Sequence, residues 1–126
     1  MQQFASMKPD NDILVRIIVK KTPGQFAYSA MRNQRTDFPV LTCAVSTFNG
    51  TYRAAIGARP GRAVLVSDTA GILADSVTET SAQNFAAYVS EQVPTQSNVR
   101  AGSTYRSHLI RVLTARCLMD IASQKQ

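Results

Sequence analysis

The side chains best suited to chemistry gather in one short stretch, MRNQRTDFP, residues 31–39. It sets Arg32, Arg35 and Asp37 beside Phe38. Two guanidinium groups can attract an anion, and an aromatic ring can cover one side of a flat ligand. Polar loops between strands often carry ligand contacts. The bland alternative stands beside this reading: a solvated connection whose Arg–Asp pair contributes little.

Elsewhere the ingredients of catalysis are incomplete. His108, the single histidine, has no acidic residue three or four positions away to orient it, so it reads as a partly exposed helix residue. Serines and threonines are plentiful, but no nucleophile-elbow glycines flank one and no base is assigned to any of them. The acids Asp10, Asp12, Asp37, Asp68, Asp75, Glu79, Glu91 and Asp120 follow no metal-ligand spacing. Gly57 and Gly61 bracket ARP, yet neither a dinucleotide-binding nor a phosphate-loop pattern is present. The residues therefore define no catalytic group and no metal site.

A second basic stretch, AGSTYRSHLIRVLTARCL at residues 101–118, proves to be architecture. At about 100° per helical residue, Arg106, Arg111 and Arg116 fall roughly 140° apart and scatter around the axis. Ile110, Leu113, Cys117 and Ile121 share one face, widened by Leu109 and Val112. This predicts a core-packing helix with cationic side chains at its margins and Ser103 as its N-cap. Leu109, Ile110, Leu113 and Cys117 are expected to meet Phe85 and Val89 over a sheet.

The chain of 126 residues fits one domain, residues 1–126, able to bury a core without metal or disulfide. A hydrophobic fraction of 44% and a charged fraction of 17% exclude a disordered chain. A net charge of +6 permits acidic partners, but the basic residues are dispersed and lack the concentrated footprint of a nucleic-acid surface. Cys43 and Cys117 each sit in an apolar run and read as buried free thiols. The apolar runs fall short of the ~18 residues a membrane span requires. The expected setting is cytoplasmic, with neither nucleic acid nor membrane as partner.

These groups must be positioned by a small set of elements. Residues 1–12 are polar and unpatterned. Residues 13–19, ILVRIIV, put the β-branched Ile13, Val15, Ile17 and Val19 on one face and Arg16 on the other, which predicts a strand. An edge-like strand over 26–31 precedes the Arg32–Phe38 loop, and strands over 40–48 and 51–58 flank Asn49-Gly50, a type I′ hairpin signal. RPGRAVLV leads out as a short strand or extended segment. Asp68 is placed to cap a short helix through Leu73 and Ala74. Thr80 and Gln83 match a capping box for a helix that buries Phe85, Ala86, Val89 and Val93 and stops at Pro94. The expected class is α+β: an antiparallel sheet of three to four strands with three helices on one face.

In this order, the elements resemble the C-terminal domain of the flavin subunit of molybdenum-containing hydroxylases, the xanthine dehydrogenase and carbon monoxide dehydrogenase group. The likeness rests on Lys20 to Pro23, on Tyr28 through Asp37, on Gly57 with Pro60, Arg62 and Ala63, and on Gly102, Ser103, Tyr105, Arg106 and Leu109. Ala30 stands where the family often has lysine, and Asn33 and Gln34 where it has paired arginines. The resemblance covers nearly the whole chain from about Ile13 and implies the same sheet-and-helix fold. It implies FAD as cofactor, held mainly by upstream FAD-binding domains that are not among these residues, with Arg32, Arg35, Thr36, Asp37 and Phe38 as the FAD-proximal loop. Molybdopterin and iron–sulfur clusters belong, on this likeness, to partner subunits or domains of one complex. That complex hydroxylates a purine-like or other small substrate at molybdenum and passes electrons through iron–sulfur clusters to FAD. The alternative is a stand-alone structural or assembly module of the same fold with no flavin role.

Overall fold

The computed structural model describes residues 13–19 and 21–124. Four strands form one antiparallel sheet in sequence order: β1 (Gln25–Arg32), β2 (Pro39–Phe48), β3 (Thr51–Gly57) and β4 (Val64–Ser67). Two helices follow, α1 (Glu79–Gln92) and α2 (Ser103–Ser123). This is the expected α+β class, with two helices among the described residues against an expectation of three.

Alternation along β2 and β3 decides which face meets the helices. Leu41, Cys43 and Val45 are buried on β2, and Tyr52, Ala54 and Ile56 on β3. Register places Cys43 opposite Ile56 and Val45 opposite Ala54, so these side chains share a face. Phe85, Val89, Leu109, Ile110, Leu113 and Cys117 lie in the same core, as their helical spacing predicts. The opposite face carries a row of Tyr28, Ala44, Ala55 and Leu65, with Phe26, Ser46 and Arg53 in the next row. Small residues in mid-sheet and larger ones at its edges make a shallow trough there.

Asn49 and Gly50 join β2 to β3 with φ of 49° and 76°, as the hairpin signal requires. At α1 the cap lies two residues earlier than the T-x-x-Q pattern suggests. Thr78 accepts from the Ser81 backbone N–H, and the Ser81 hydroxyl accepts from the Thr78 N–H. Serine thus serves in place of the longer glutamine. Helix α1 ends before Val93 and Pro94, as expected. The N-cap of α2 is Gly102, not Ser103. The Ser103 N–H is instead satisfied from outside by the Ser97 hydroxyl at 2.9 Å.

Two expected elements do not form. Asp68 accepts from the Ile72 and Leu73 N–H groups at 2.9 and 2.8 Å, but the chain makes only a turn there. Both carboxylate oxygens are used within five residues, which closes a local loop and leaves nothing to propagate a helix. Residues 13–19 are not a strand of this sheet. Ile13, Val15 and Ile17 remain 86%, 86% and 60% exposed. Alternation reports only that one face suits burial, and among the described residues no neighbouring strand supplies the ladder. Residues 1–12 lie outside the described residues.

Cys43 and Cys117 are free and buried where α2 crosses β2. The Cys43 sulfur is 3.5 Å from Thr114 Oγ1, and the Cys117 sulfur is 4.0 Å from the Cys43 carbonyl oxygen. Contact with Cys43 and burial push the Cys117 thiol far above its ordinary range. Hydrogen bonding from Cys117 pulls the Cys43 thiol the other way, below its ordinary value, but both sulfurs are fully buried, so neither cysteine is expected to react with a thiol reagent in native protein at neutral pH. Both should react in denaturant. Rapid modification of either one in native buffer would show that the seam between β2 and α2 opens.

Candidate functional site

The corner from Arg32, the last residue of β1, to Phe38 carries every side chain of the expected site. It begins where strand register shifts between Met31 and Arg32, so the pair of strands ends in an irregular corner. A turn closes between the Gln34 carbonyl and the Asp37 N–H at 3.1 Å, and the Asp37 carboxylate accepts from the Phe38 N–H at 2.7 Å. Arg32, Arg35, Thr36, Asp37, Phe38 and Pro39 together line an open cleft of about 380 Å³. Phe38 presents a ring that is 74% exposed at its edge.

A second segment, between α1 and α2, comes up beneath this loop. Asn33 Nδ2 donates to the Arg100 carbonyl at 3.3 Å. The Arg100 guanidinium carbon lies 5.3 Å from the centre of the Phe38 ring, within cation–π range. Arg100 Nε is 3.8 Å from Asp37 Oδ1, with both side chains about one-third exposed. An ion pair so open to water contributes under about 1 kcal/mol, so its value lies in orientation. Arg100 Nε is itself buried and makes no hydrogen bond, which leaves the carboxylate as its nearest compensation.

Arg106, expected at the margin of its helix, is instead buried at 1% exposure. Among the described residues no carboxylate pairs with it. Its Nε donates to the Val40 carbonyl at 3.0 Å, and one terminal nitrogen donates to the Gln96 and Ala101 carbonyls at 2.6 and 2.7 Å. The other donates to Asn98 Oδ1 at 2.6 Å. Burial, and then the charge of Arg100, pull its pKa below the ordinary value, though arginine keeps its proton in proteins. Carbonyl dipoles converging on a planar fork are what make a buried guanidinium tolerable here.

All five expected site residues therefore stand together in the structure. Asn98, Arg100 and Arg106 were not anticipated. Arg106 had a signal in the closing GSTYR stretch, but its five-residue spacing from Arg111 suggested dispersal. Nothing in the local sequence marks Arg100. His108 is exposed on α2. Among the described residues no cluster of three or more His, Cys, Asp or Glu could hold a metal ion. No helix there is long and apolar enough to cross a membrane.

The cleft can take a flat ring against Phe38 and an anionic group near Arg32 or Arg35. It does not offer a dinucleotide cradle. The left-handed glycines Gly50, Gly61 and Gly71 are dispersed along the chain, and the first N–H of α2 is already bonded to Ser97. The lining suits a flat ring and not a pyrophosphate.

Known structures share this fold. Similar folds occur in quinoline 2-oxidoreductase from Pseudomonas putida 86, with a TM-score of 0.70 at 18% identity over 82% of this chain. They occur also in carbon monoxide dehydrogenase from Hydrogenophaga pseudoflava lacking the Mo-pyranopterin moiety, with a TM-score of 0.67 at 18% identity over 81% of this chain. The matches span 38% and 37% of those two chains. No curated protein sequence matches. The family model for the CO dehydrogenase flavoprotein C-terminal domain matches residues 26–121, well over half of the chain and both sides of the cleft. The chain belongs to the family of CO dehydrogenase flavoprotein C-terminal domains.

Proposed function

We propose that the chain serves as the C-terminal domain of the flavin subunit of a molybdenum-containing hydroxylase, and that its 32–38 loop covers part of an FAD held mainly by upstream domains. The observation that carries this reading is Phe38. A large apolar ring is held exposed over a cleft lined by Arg32 and Arg35, in a chain of this family. When bound, FAD accepts electrons at its ring system and passes them on. This chain's part is to cover, orient and exclude water. Phe38 offers a flat apolar surface, Asp37 fixes the loop backbone, and Arg32 and Arg35 set a positive field beside it. The partners are molybdopterin- and iron–sulfur-binding subunits, in a cytoplasmic complex that suits two free thiols. The substrate is purine-like or another small molecule, as in the xanthine dehydrogenase group.

A second role, in assembly, is favoured by the uncovered sheet face. Phe26 and Tyr28 are 57% and 63% exposed beside Leu65 on one trough. Such an apolar face suits contact with another protein surface.

By itself the chain is expected to bind FAD poorly: a micromolar fluorescence titration should show no saturation, and the purified protein should be colourless. Restored to a complex with FAD-binding domains, Asp37→Ala or Arg35→Ala should move flavin reactivity or potential while leaving thermal stability nearly unchanged. Yellow protein with stoichiometric FAD would refute the first expectation. Unchanged flavin behaviour in both variants would refute the second.

A further inference from the structure

We propose that Arg106, Asn98 and Arg100 are positioning residues that set the Phe38 ring from below, through hydrogen bonds that tie the 32–38 loop to the start of α2. The inference rests on the flavin-facing reading of that loop, but its first step concerns this chain alone.

Asn98 is the junction. Its side-chain oxygen accepts from Arg106, from the Arg100 N–H at 3.0 Å and from the Ala101 N–H at 3.4 Å. The backbone of Arg100 is therefore fixed to a guanidinium rooted in the core. From that fixed backbone, the Arg100 side chain reaches over Phe38 and towards Asp37, while its carbonyl receives Asn33. Arg106 also holds the Val40 carbonyl, two residues beyond Phe38. The loop is thus gripped near its start at Asn33, near its tip at Asp37 and Phe38, and at its exit at Val40. All three grips lead back to one short segment.

A mostly exposed phenylalanine otherwise samples several rotamers. The guanidinium over one face of the ring restricts that freedom and leaves the other face open for a planar ligand. Positioning groups on a loop act this way only when a rigid element fixes them, because small displacements at a reacting group cost rate steeply. Here the rigid element is α2, reached through Arg106.

The test uses the 126-residue chain with Asn98→Ala, Arg100→Gln and Arg106→Lys. Amide hydrogen exchange is followed at Asp37, with ring relaxation at Phe38. Exchange at Asp37 is expected to quicken at least tenfold in Asn98→Ala and in Arg106→Lys, and the Phe38 ring to gain mobility in all three. The Val45 and Ala54 amides, deep in the sheet, should stay as they are. If Arg106→Lys fails to fold, the Asn98 and Arg100 variants decide alone. Unchanged exchange at Asp37 in Asn98→Ala, together with an unchanged Phe38 ring in Arg100→Gln, would overturn the relay. A second arm measures flavin fluorescence and potential after assembly with FAD-binding domains. A loosened loop with shifted flavin properties supports both steps. A loosened loop with unaltered flavin upholds the relay and refutes the flavin-facing reading on which it rests.

Discussion

Arg106→Leu is expected to lose about 3–5 kcal/mol of folding stability, because the substitution strands several acceptors at once. Val40 is fully buried, so its carbonyl has no access to water once Nε is gone. The Gln96 and Ala101 carbonyls and the Asn98 amide are nearer the surface and recover part of their hydration. One fully stranded carbonyl costs roughly 1–3 kcal/mol, and partly rehydrated groups add less each. Leucine also lacks the length to fill the space of a guanidinium. Lysine separates these contributions: it keeps the charge but cannot reproduce the planar fork, so it should lie between leucine and the parent. Denaturant unfolding followed by circular dichroism measures all three proteins. A loss under 1 kcal/mol for the leucine variant would mean that water already serves those carbonyls.

The same residue shows where the sequence stops being legible. Pattern reading treats an arginine on a helix as a solvated margin, and for Arg111, which is exposed, that is correct. What buries Arg106 is a convergence of carbonyls from residues 40, 96 and 101, separated by up to 66 positions from the guanidinium they accept from. Local periodicity holds no information about such a meeting. The β2–β3 hairpin is readable for the opposite reason, since Asn49 and Gly50 carry the positive φ values that force the turn. The cap of α1 lies between these extremes. Thr78 and Thr80 are both threonines with a polar residue three positions on; the cap forms at Thr78, where Ser81 also donates to the Ser76 carbonyl. Residues 13–19 mislead because alternation is necessary for a half-buried strand but does not supply its partner. Residue types and family likeness together single out the 32–38 loop as the candidate site. Its supporting contacts with Arg100 were not, because Asn33 and Arg100 meet across 67 positions.

Phe85→Ala is expected to cost about 3–5 kcal/mol, the range for emptying a fully buried aromatic site. Phe85 is 0% exposed and is the one large side chain on the buried stripe of α1, whose other members are Ala82, Ala86 and Val89. Alanines at 82 and 86 let α1 approach its neighbours closely, but they cannot expand into a vacated ring site. The cavity therefore persists, and the lost contacts are not replaced. Helix α1 has little to fall back on. It is 14 residues long and contains Thr80, Ser81, Asn84 and Ser90, so packing holds it more than intrinsic propensity. Its neighbour Tyr88 lies 6.2 Å from the Phe85 ring centre and reaches Thr69 Oγ1 at 3.2 Å, so a shift of α1 also disturbs the segment after β4. The consequence for the site runs through the far end of the helix. Just beyond it, the Pro94 carbonyl accepts from Arg59 and the Gln96 carbonyl from Arg106. Loosening α1 thus slackens the segment that supports Phe38. Phe85→Leu, which keeps most of the volume, should lose far less stability and preserve slow exchange at Asp37. Equal losses for alanine and leucine would show that ring volume is not what anchors α1.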